Sequence, residues 1–371
     1  MTNPPSLYIH IPFCENICDY CDFAKLQYFR FLAEKYLASL EKELDGYQIN
    51  HPLKTIYIGG GTPTSLEDDL FEKLLMMVSK YTKGVIEYTI EANPESLSLN
   101  KILLMKKYGV NRLSIGVEST DDALLKAINR HHTFDDVKTA IKLARENGIS
   151  NINVDLILGL PHASKKMLEK DIDNIISLGV DHISCYGLTV HPNTVFFLNG
   201  IQEPLEDDLR DYYDYLDERL EKEDFSHYEV SNWAKLGKMS QHNLTYWRND
   251  HYYGVGLGAS GYINDERYTN TRSITKYLDG HFVDQKEILS KKDEKSYQIM
   301  LNLRTIEGIN LVDYKKKFNE DFYHTFRIIL DEYITQKYLI YDESKQIIYP
   351  SYSGMMILDN LLVKLFEELD H

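Results

Sequence analysis

Residues 7–21 read LYIHIPFCENICDYC, a short apolar run that leads directly into three closely spaced cysteines. The β-branched and aromatic residues of Leu7–Ile11 predict a β-strand. Cys14, Cys18 and Cys21 follow that strand at CxxxCxxC spacing, and active sites of parallel barrels lie at the carboxyl ends of their strands. Three thiolates spaced in this way can bind three irons of a [4Fe–4S] cubane and leave the fourth iron without a protein ligand.

The alternatives for these cysteines are a zinc site or three unrelated thiols. Structural zinc normally needs a fourth Cys or His at finger spacing. His10 is close in sequence, but a residue inside the predicted strand points poorly toward a loop. The spacing therefore favours the cluster. The remaining cysteine, Cys185, lies in another predicted strand, where we expect a buried core thiol.

The 371 residues carry a formal net charge of −16 at pH 7, with 43% hydrophobic residues and 28 tyrosines. This length accommodates a large catalytic-size domain and one or two smaller ones. The negative charge argues against bulk binding to nucleic acid or anionic lipid, because both need a basic footprint.

Four cysteines do not make a disulfide framework, and clustered thiols indicate a reducing compartment. The N-terminus MTNPPSLYIHIPF has neither the basic nor the apolar region of a secretory signal. No apolar stretch reaches the roughly 18–20 residues of a membrane span. We therefore expect a cytoplasmic protein without a transmembrane segment, and leave open a peripheral membrane contact and a homodimer.

The first half of the chain alternates strand-like with helix-like segments. Gly109, Gly148 and Gly179 each end a helix-like segment shortly before the next strand. Six βα units in succession predict a parallel sheet with right-handed crossovers, and six is fewer than the eight of a closed barrel. We therefore expect an α/β fold with a partial (βα)6 barrel. The predicted strands are Leu7–Ile11, Thr55–Ile58, Ile86–Glu91, Arg112–Val117, Asn153–Leu158 and His182–Leu188, and the helices include Phe29–Tyr47, Leu66–Lys80, Leu99–Tyr108, Phe134–Asn147 and Lys165–Leu178.

The pattern changes after about His191. A helix is predicted around Asp207–Lys222, and an irregular, Gly- and Tyr-rich stretch follows at Tyr228–Tyr262. The predicted domains are the partial barrel with the cluster site at 1–195, an extension at 196–285 and a C-terminal module at 286–371.

The C-terminal segment reads helix, helix, helix, two short strands (Leu339–Tyr341 and Ile347–Tyr349), helix, an order that resembles a winged helix. From Gln285 onward the chain has 12 Lys and Arg against 15 Asp and Glu, a net charge of −3. A DNA-reading wing is normally basic. We therefore expect a structural or partner-binding module and no nucleic-acid partner.

CxxxCxxC after YIHIPF, together with the Gly59-Gly60-Gly61-Thr62-Pro63 loop after the second strand, resembles the radical S-adenosylmethionine (SAM) superfamily. Within it, the chain is similar to the branch of oxygen-independent coproporphyrinogen III oxidase and its relatives. The resemblance spans nearly the whole chain. It implies that SAM chelates the open iron, and that reductive cleavage of SAM yields methionine and a 5′-deoxyadenosyl radical.

The resemblance also implies which residues contact SAM. Carboxylates at Glu91 and Asp155 suit ribose hydroxyls and Arg130 suits the SAM carboxylate. Taken alone, Glu91 and Asp155 also each fit a helix cap or a buried ion pair. Glu118 departs from the family, which usually has Gln there, so the amide donor is lost. Tyr8 is equally well explained as a packed strand tyrosine. The full set is Tyr8, Gly60, Gly61, Thr62, Glu91, Glu118, Arg130 and Asp155.

Two features distinguish members of this branch. Porphyrinogen-oxidising members carry a further cysteine two residues after the third cluster cysteine, and this chain has Phe23 there. The second feature is the segment His242-Asn243-Leu-Thr-Tyr246-Trp247, which is similar to the HNxxYW region of HemW-type heme chaperones. This resemblance implies heme binding and transfer to acceptor hemoproteins, with those of the respiratory chain as candidates, and no porphyrinogen decarboxylation.

His242 can give an imidazole nitrogen to iron, and Tyr246 and Trp247 can offer flat apolar faces to a macrocycle. A histidine beside aromatic residues is, however, more often a hydrogen-bonded packing residue. Ser260 stands where family members usually carry a second histidine, so no second axial imidazole comes from that position. The enzyme alternative is an oxygen-independent coproporphyrinogen III dehydrogenase, and Phe23 is the feature against it.

Overall fold

The computed structural model describes residues 4–369. Its strands form a 12-stranded, a three-stranded and a two-stranded sheet. In chain order they are β1 (Ser6–Ile11), β2 (Phe13–Cys14), β3 (Leu26–Gln27), β4 (Thr55–Gly60), β5 (Glu87–Ala92), β6 (Arg112–Glu118), β7 (Asn151–Leu158), β8 (His182–Gly187), β9 (Phe225–Glu229), β10 (Asn232–Lys235), β11 (Tyr252–Val255), β12 (Ser260–Ile263), β13 (Glu266–Asn270), β14 (Val283–Ile288), β15 (Ile309–Asn310), β16 (Leu339–Asp342) and β17 (Ile347–Pro350).

Helix α5 (Phe134–Glu146) shows how capping residues in the sequence set the ends of a helix. Thr133 and Asp136 form a reciprocal capping box at the start of α5, and Gly148 follows its end with φ +86°. The helices are α1 (Arg30–Gly46), α2 (Asp68–Ser79), α3 (Leu99–Lys107), α4 (Asp122–Ala127), α5 (Phe134–Glu146), α6 (Lys165–Ser177), α7 (Val195–Leu198), α8 (Glu206–Glu221), α9 (Gln241–Trp247), α10 (Ile274–Leu278), α11 (Lys291–Asn302), α12 (Leu311–Phe318), α13 (Phe322–Thr325), α14 (Arg327–Thr335), α15 (Tyr352–Met355) and α16 (Leu358–Leu369).

All six predicted strands form, and they lie side by side in the order β1-β4-β5-β6-β7-β8, each parallel to the next. The predicted helices between them form within one or two residues of their expected bounds. Side chains from β4 through β8 line one cavity, so the sheet is curved into an open barrel. The predicted α/β partial barrel is confirmed.

The two faces of strand β6 have different roles: one packs into the hydrophobic core and the other lines the cavity. Its outward residues Leu113, Ile115 and Val117 are fully buried in the core between sheet and helices. The alternate positions, from Arg112 and Ser114 to Glu118, line the cavity. The two-residue period of a strand thus separates apolar packing from polar lining. Cys185 in β8 is fully buried in the same core, as predicted.

The prediction of an irregular stretch at Tyr228–Tyr262 is wrong. Strand β11 pairs in parallel with β1, in the register Ser6↔Tyr252, and β10 pairs antiparallel with β8. The main sheet therefore continues from the barrel strands into β9–β14. The extension adds strands to both edges of the six-stranded sheet.

The C-terminal segment has a core of its own, built on fully buried residues such as Ile299, Phe322 and Leu365. Its three-stranded antiparallel sheet has the order β15-β17-β16, and α11 to α14 precede the β16–β17 hairpin. Four helices thus stand where three were expected, the two expected strands are present as β16 and β17, and the short strand β15 is additional. Across residues 4–369, no helix combines the length and apolarity needed to cross a membrane.

Candidate functional site

The three cysteines of the CxxxCxxC motif border one cavity of about 570 Å³ at the carboxyl ends of the barrel strands. Cys14 ends β2, which pairs with β3 across the loop, and its carbonyl accepts the N–H of Tyr28 at 2.9 Å. A tight turn joins Cys18 to Cys21, whose N–H donates to the Cys18 carbonyl at 3.2 Å. All four cysteines of the chain are free thiols. The motif therefore presents three sulfurs to a single space.

The zinc alternative does not gain its fourth ligand from His10. One ring nitrogen of His10 lies 2.9 Å from the Tyr8 hydroxyl, and the other lies 2.7 Å from the Ala24 carbonyl. Both nitrogens are therefore engaged, and the ring is 4% exposed. Among residues 4–369, no group of three or more His, Cys, Asp or Glu side chains is arranged to hold a single metal ion.

Arg130 is anchored beside the cysteine loop. Its guanidinium donates to Glu118 Oε1 at 3.0 Å, to Asn93 Oδ1 at 2.9 Å and to the Gly116 carbonyl, and it lies 3.7 Å from Cys18 Sγ. Glu118 has a left-handed backbone, φ +63°, at a bulge between β6 and β7. The Glu118 carboxylate thus forms a largely buried ion pair that orients Arg130.

The Gly59-Gly60-Gly61 loop leaves β4 in close contact with its neighbours. A Cβ on Gly59 would lie 2.6 Å from the Glu91 carboxyl carbon, and one on Gly61 would lie 2.8 Å from the Phe13 carbonyl and 3.0 Å from Cys14 Sγ. Gly60 has φ +113°, and its N–H donates to Glu91 at 2.9 Å. The glycines therefore hold the loop against the cysteine segment. The Thr62 hydroxyl donates to Cys14 Sγ at 3.7 Å.

Two further carboxyl groups line the cavity from β5 and β7. Glu91 accepts the Tyr57 hydroxyl at 2.7 Å, and burial raises the pKa of its carboxyl to about 7. Asp155 accepts Asn153 Nδ2 at 2.7 Å and the Ser114 hydroxyl at 3.2 Å. Burial raises the pKa of Asp155 as well.

The residues present fit the cluster and SAM that the motif implies. Burial raises the pKa of the Cys14 thiol to about 11, and bound iron is the positive charge that stabilises a thiolate in such a place. Glu91, Glu118 and Asp155 face the cavity with Arg112 and Arg130. This mixed lining suits SAM, because carboxylates can pair with its sulfonium and ammonium groups and a guanidinium can pair with its carboxylate.

Tyr8 does not line this cavity. It borders a second chamber of about 440 Å³, which also contains the whole HNxxYW motif: His242, Asn243, Tyr246 and Trp247. The two spaces adjoin, because four residues line both: Tyr57, Glu91, Tyr186 and Asn243.

His242 is completely buried within helix α9. One ring nitrogen lies 2.8 Å from the Thr55 hydroxyl and the other lies 2.8 Å from the Tyr246 hydroxyl. Burial lowers the pKa of the ring to about 3, so it is neutral at pH 7. The structure therefore ties this histidine to β4 and to its own helix, and iron ligation requires the loss of one of these hydrogen bonds.

Arg112 and Asn93 are two charged or polar cavity residues that sequence reasoning missed. Arg112 is 2% exposed, and its Nε and Nη1 find no hydrogen-bond partner. Asn93 orients Arg130, as described above. Strand alternation was the available signal for Arg112, since it shares a strand face with Ser114, Gly116 and Glu118.

Comparison with known proteins agrees with this geometry. The profile of the radical SAM superfamily matches residues 8–175. The heme chaperone HemW of Bacillus subtilis is 37% identical and aligns over 98% of this chain and 100% of its own length. HemW of Escherichia coli is 34% identical over 91% of this chain and 92% of its own.

Among solved structures, the coproporphyrinogen III oxidase HemN of E. coli superimposes with a TM-score of 0.84. The match covers 97% of this chain and 89% of that one, at 19% sequence identity, and therefore supports the fold alone. The sequence relatives are much more similar and cover nearly the whole chain. This chain therefore belongs to the radical SAM superfamily and, within it, to the HemW family.

Proposed function

We propose that this protein binds heme and transfers it to acceptor hemoproteins, and that it carries a [4Fe–4S] cluster and SAM. The observation that carries the proposal is the 440 Å³ chamber, because all four residues of the HNxxYW motif line it. Tyr8, Tyr57 and Tyr186 supply further aromatic walls. Such faces suit a flat apolar macrocycle. Relatives that match nearly the full chain are named heme chaperones.

In this proposal, Cys14, Cys18 and Cys21 ligate the cluster. SAM binds in the same cavity, where Arg130 meets its carboxylate. A cluster with SAM supplies one-electron chemistry at the open iron, and the chain contributes orientation and charge. The proposed SAM contacts in the cavity are Gly60, Gly61, Thr62, Glu91, Glu118, Arg130 and Asp155, all of which line it.

We infer that Tyr246 and Trp247 make the first contacts with the macrocycle. Both side chains are partly exposed, whereas His242 is fully buried. The neutral imidazole is the form that ligates iron. His242 therefore becomes a ligand only after Tyr246 moves and releases its ring nitrogen.

The second candidate function is oxidative decarboxylation of coproporphyrinogen III. The structural match to the E. coli oxidase favours it only at the level of the fold. Phe23 lies at the rim of the cluster cavity with 62% of its side chain exposed, where a porphyrinogen-oxidising member would have a sulfur. A phenyl ring can pack but cannot donate or ligate, so we favour the chaperone function.

Hemin titration of the reconstituted protein tests the proposal. His242→Ala should weaken heme binding or shift the Soret band and leave the iron–sulfur content unchanged, because the two sites use different residues. His281→Ala, at an exposed histidine after α10, is the matched control. A wild-type protein that binds no hemin, or that never passes it to an apo-hemoprotein, would contradict the proposal. Enzymatic conversion of coproporphyrinogen III would instead support the second candidate function, oxidative decarboxylation.

We also propose a cytoplasmic location, because three clustered free thiols need a reducing compartment. A nucleic-acid partner is disfavoured by the net charge of −16. Respiratory hemoproteins as acceptors, a homodimer and a peripheral membrane contact are hypotheses for affinity purification and sedimentation analysis of the heme-loaded protein.

A further inference from the structure

Three residues that line the chamber containing the HNxxYW motif each have a buried polar atom without a hydrogen-bond partner. These atoms are Glu229 Oε1, Asn232 Oδ1 and Trp247 Nε1. An unpaired buried polar group costs about 1–3 kcal/mol, and such groups are uncommon in folded proteins. Two of these atoms, on Glu229 and Trp247, could be completed by a ligand that accepts hydrogen bonds.

Glu229 lies at the end of β9 and is completely buried. Its Oε2 accepts the Ser231 N–H at 3.3 Å, while Oε1 faces no donor. Burial raises the pKa of the carboxyl to about 8. At neutral pH this group therefore holds a proton that it can donate.

Arg304 is the only arginine or lysine among the described residues that line the chamber. It follows helix α11 of the C-terminal module, and its side chain is 29% exposed. Its backbone carbonyl accepts the Val230 N–H at 3.1 Å, beside an antiparallel bridge between Glu229 and Thr305. Arg304 and Glu229 are thus fixed on two adjacent segments at one side of the chamber. Within residues 4–369, the one hydrogen-bond partner of the guanidinium is the exposed Asp359, at 3.3 Å.

This set has the chemistry of a carboxylate site. A guanidinium and an indole N–H donate to carboxylate oxygens, and a protonated carboxyl group can donate as a third partner. The aromatic walls beside them suit a flat apolar body. A ligand with both features is a planar macrocycle that carries an acidic side chain.

We propose that Arg304, Trp247 and Glu229 together bind a propionate group of the heme. The inference rests on the proposed function and deepens it. One propionate oxygen accepts from Arg304, and the other accepts from the Trp247 indole and the Glu229 carboxyl. The C-terminal module therefore supplies the charged contact to the heme, while the tyrosines of the barrel strands supply aromatic contacts.

The test compares hemin with hemin dimethyl ester, in which both propionates are blocked. Wild-type protein should bind hemin at least about tenfold more tightly, the usual effect of one charge-assisted hydrogen bond. Arg304→Gln should lower hemin affinity about tenfold and leave the ester unaffected, and Arg304→Lys should restore part of the loss. Trp247→Phe keeps an aromatic ring but removes the N–H donor. It should also reduce the ratio between the affinity for hemin and the affinity for its dimethyl ester.

Arg327→Gln is the control, since Arg327 is an exposed arginine of the same module that pairs with Asp331. Iron–sulfur content and far-UV circular dichroism report whether each variant folds. Equal affinity of the wild type for hemin and its ester, or an unchanged preference in Arg304→Gln, overturns this inference and leaves heme binding in place. A wild type that binds neither compound overturns the proposed function and this inference together.

Discussion

Glu87 of barrel strand β5 hydrogen-bonds to the N-terminus of helix α9, which carries the HNxxYW motif. Its carboxylate accepts the backbone N–H of Gln241 at 3.0 Å and that of His242 at 2.8 Å. It also lies 3.8 Å from Arg112 Nε, with side-chain exposures of 6% for Glu87 and 3% for Arg112. One carboxylate thus caps a helix N-terminus and offsets the charge of a buried guanidinium.

Glu87→Gln should destabilise the protein by about 4 kcal/mol. The amide keeps one carbonyl acceptor, but it turns an NH2 group toward the second backbone N–H. Loss of one charge-assisted hydrogen bond costs about 1.5–3 kcal/mol. Arg112 also loses its counter-charge, and breaking a buried pair typically costs about 3–5 kcal/mol in total. For the part of the chain that carries the main sheet, about 285 residues ending at Ile288 of β14, this corresponds to an apparent Tm about 5–8 °C lower.

Urea unfolding followed by tryptophan fluorescence and by circular dichroism measures this change, and Trp247 reports directly on α9. The matched control is Glu72→Gln, which removes a surface pair with Lys107 whose side chains are 39% and 60% exposed. Such a pair contributes less than about 1 kcal/mol. If Glu87→Gln unfolds within about 1 kcal/mol of the wild type, the capping carboxylate does not stabilise α9 and the reasoning is refuted.

Three other predictions address the cluster and the chamber. Anaerobic reconstitution should give roughly four irons and four sulfides per chain, and this content should be lost in each of the variants Cys14→Ala, Cys18→Ala and Cys21→Ala. The control variant Cys185→Ala should keep its cluster. Tightly bound zinc in the wild type would contradict this prediction. Gly61→Ala should reduce iron content, because its Cβ meets Cys14 Sγ at 3.0 Å, while Gly46→Ala, with no atom within 4 Å, should not. Burial raises the pKa of Glu229 from 4.5 to about 8, with Arg304 the nearby cation and Tyr186, Tyr213 and Tyr228 the neighbouring phenols. The unfolded chain ionises this group more easily, so stability should fall by roughly 4 kcal/mol as pH rises from about 4.5 through 8. Urea unfolding at pH 5.5 and 8.5 should show a smaller fall in Glu229→Gln.

The six barrel strands were predictable because their signals are local. Each is a short run of β-branched and aromatic residues, and a glycine ends the helix before several of them. The cluster cavity was predictable for a related reason. Cys14, Gly60 and Glu91 lie at the carboxyl ends of strands, and parallel strands bring those ends to one edge of the barrel. Knowledge of the strand order is enough to place such residues together.

Tyr228–Tyr262 was misread because its structure depends on distant partners. Gly254 pairs with Tyr8 across β11 and β1, and its N–H and carbonyl both bond the Tyr268 hydroxyl. A Cβ on Gly261 would overlap the ring of Tyr268. The glycines that suggested irregular backbone in fact make room for tyrosines that pack onto the added strands.

Dependence on distant partners also explains why the HNxxYW motif could be recognised in the sequence while its position in the fold could not be predicted. His242 is held by Thr55, 187 residues away, and its helix is capped by Glu87, 155 residues away. No local pattern contains these contacts, so the sequence could not decide between an iron ligand and the hydrogen-bonded packing residue that was its alternative. Its neighbour Asn243 lines both the cluster cavity and the second chamber. A motif that the sequence presents as a heme site thus also forms part of the wall of the cluster cavity, and variants at Asn243 are expected to disturb both.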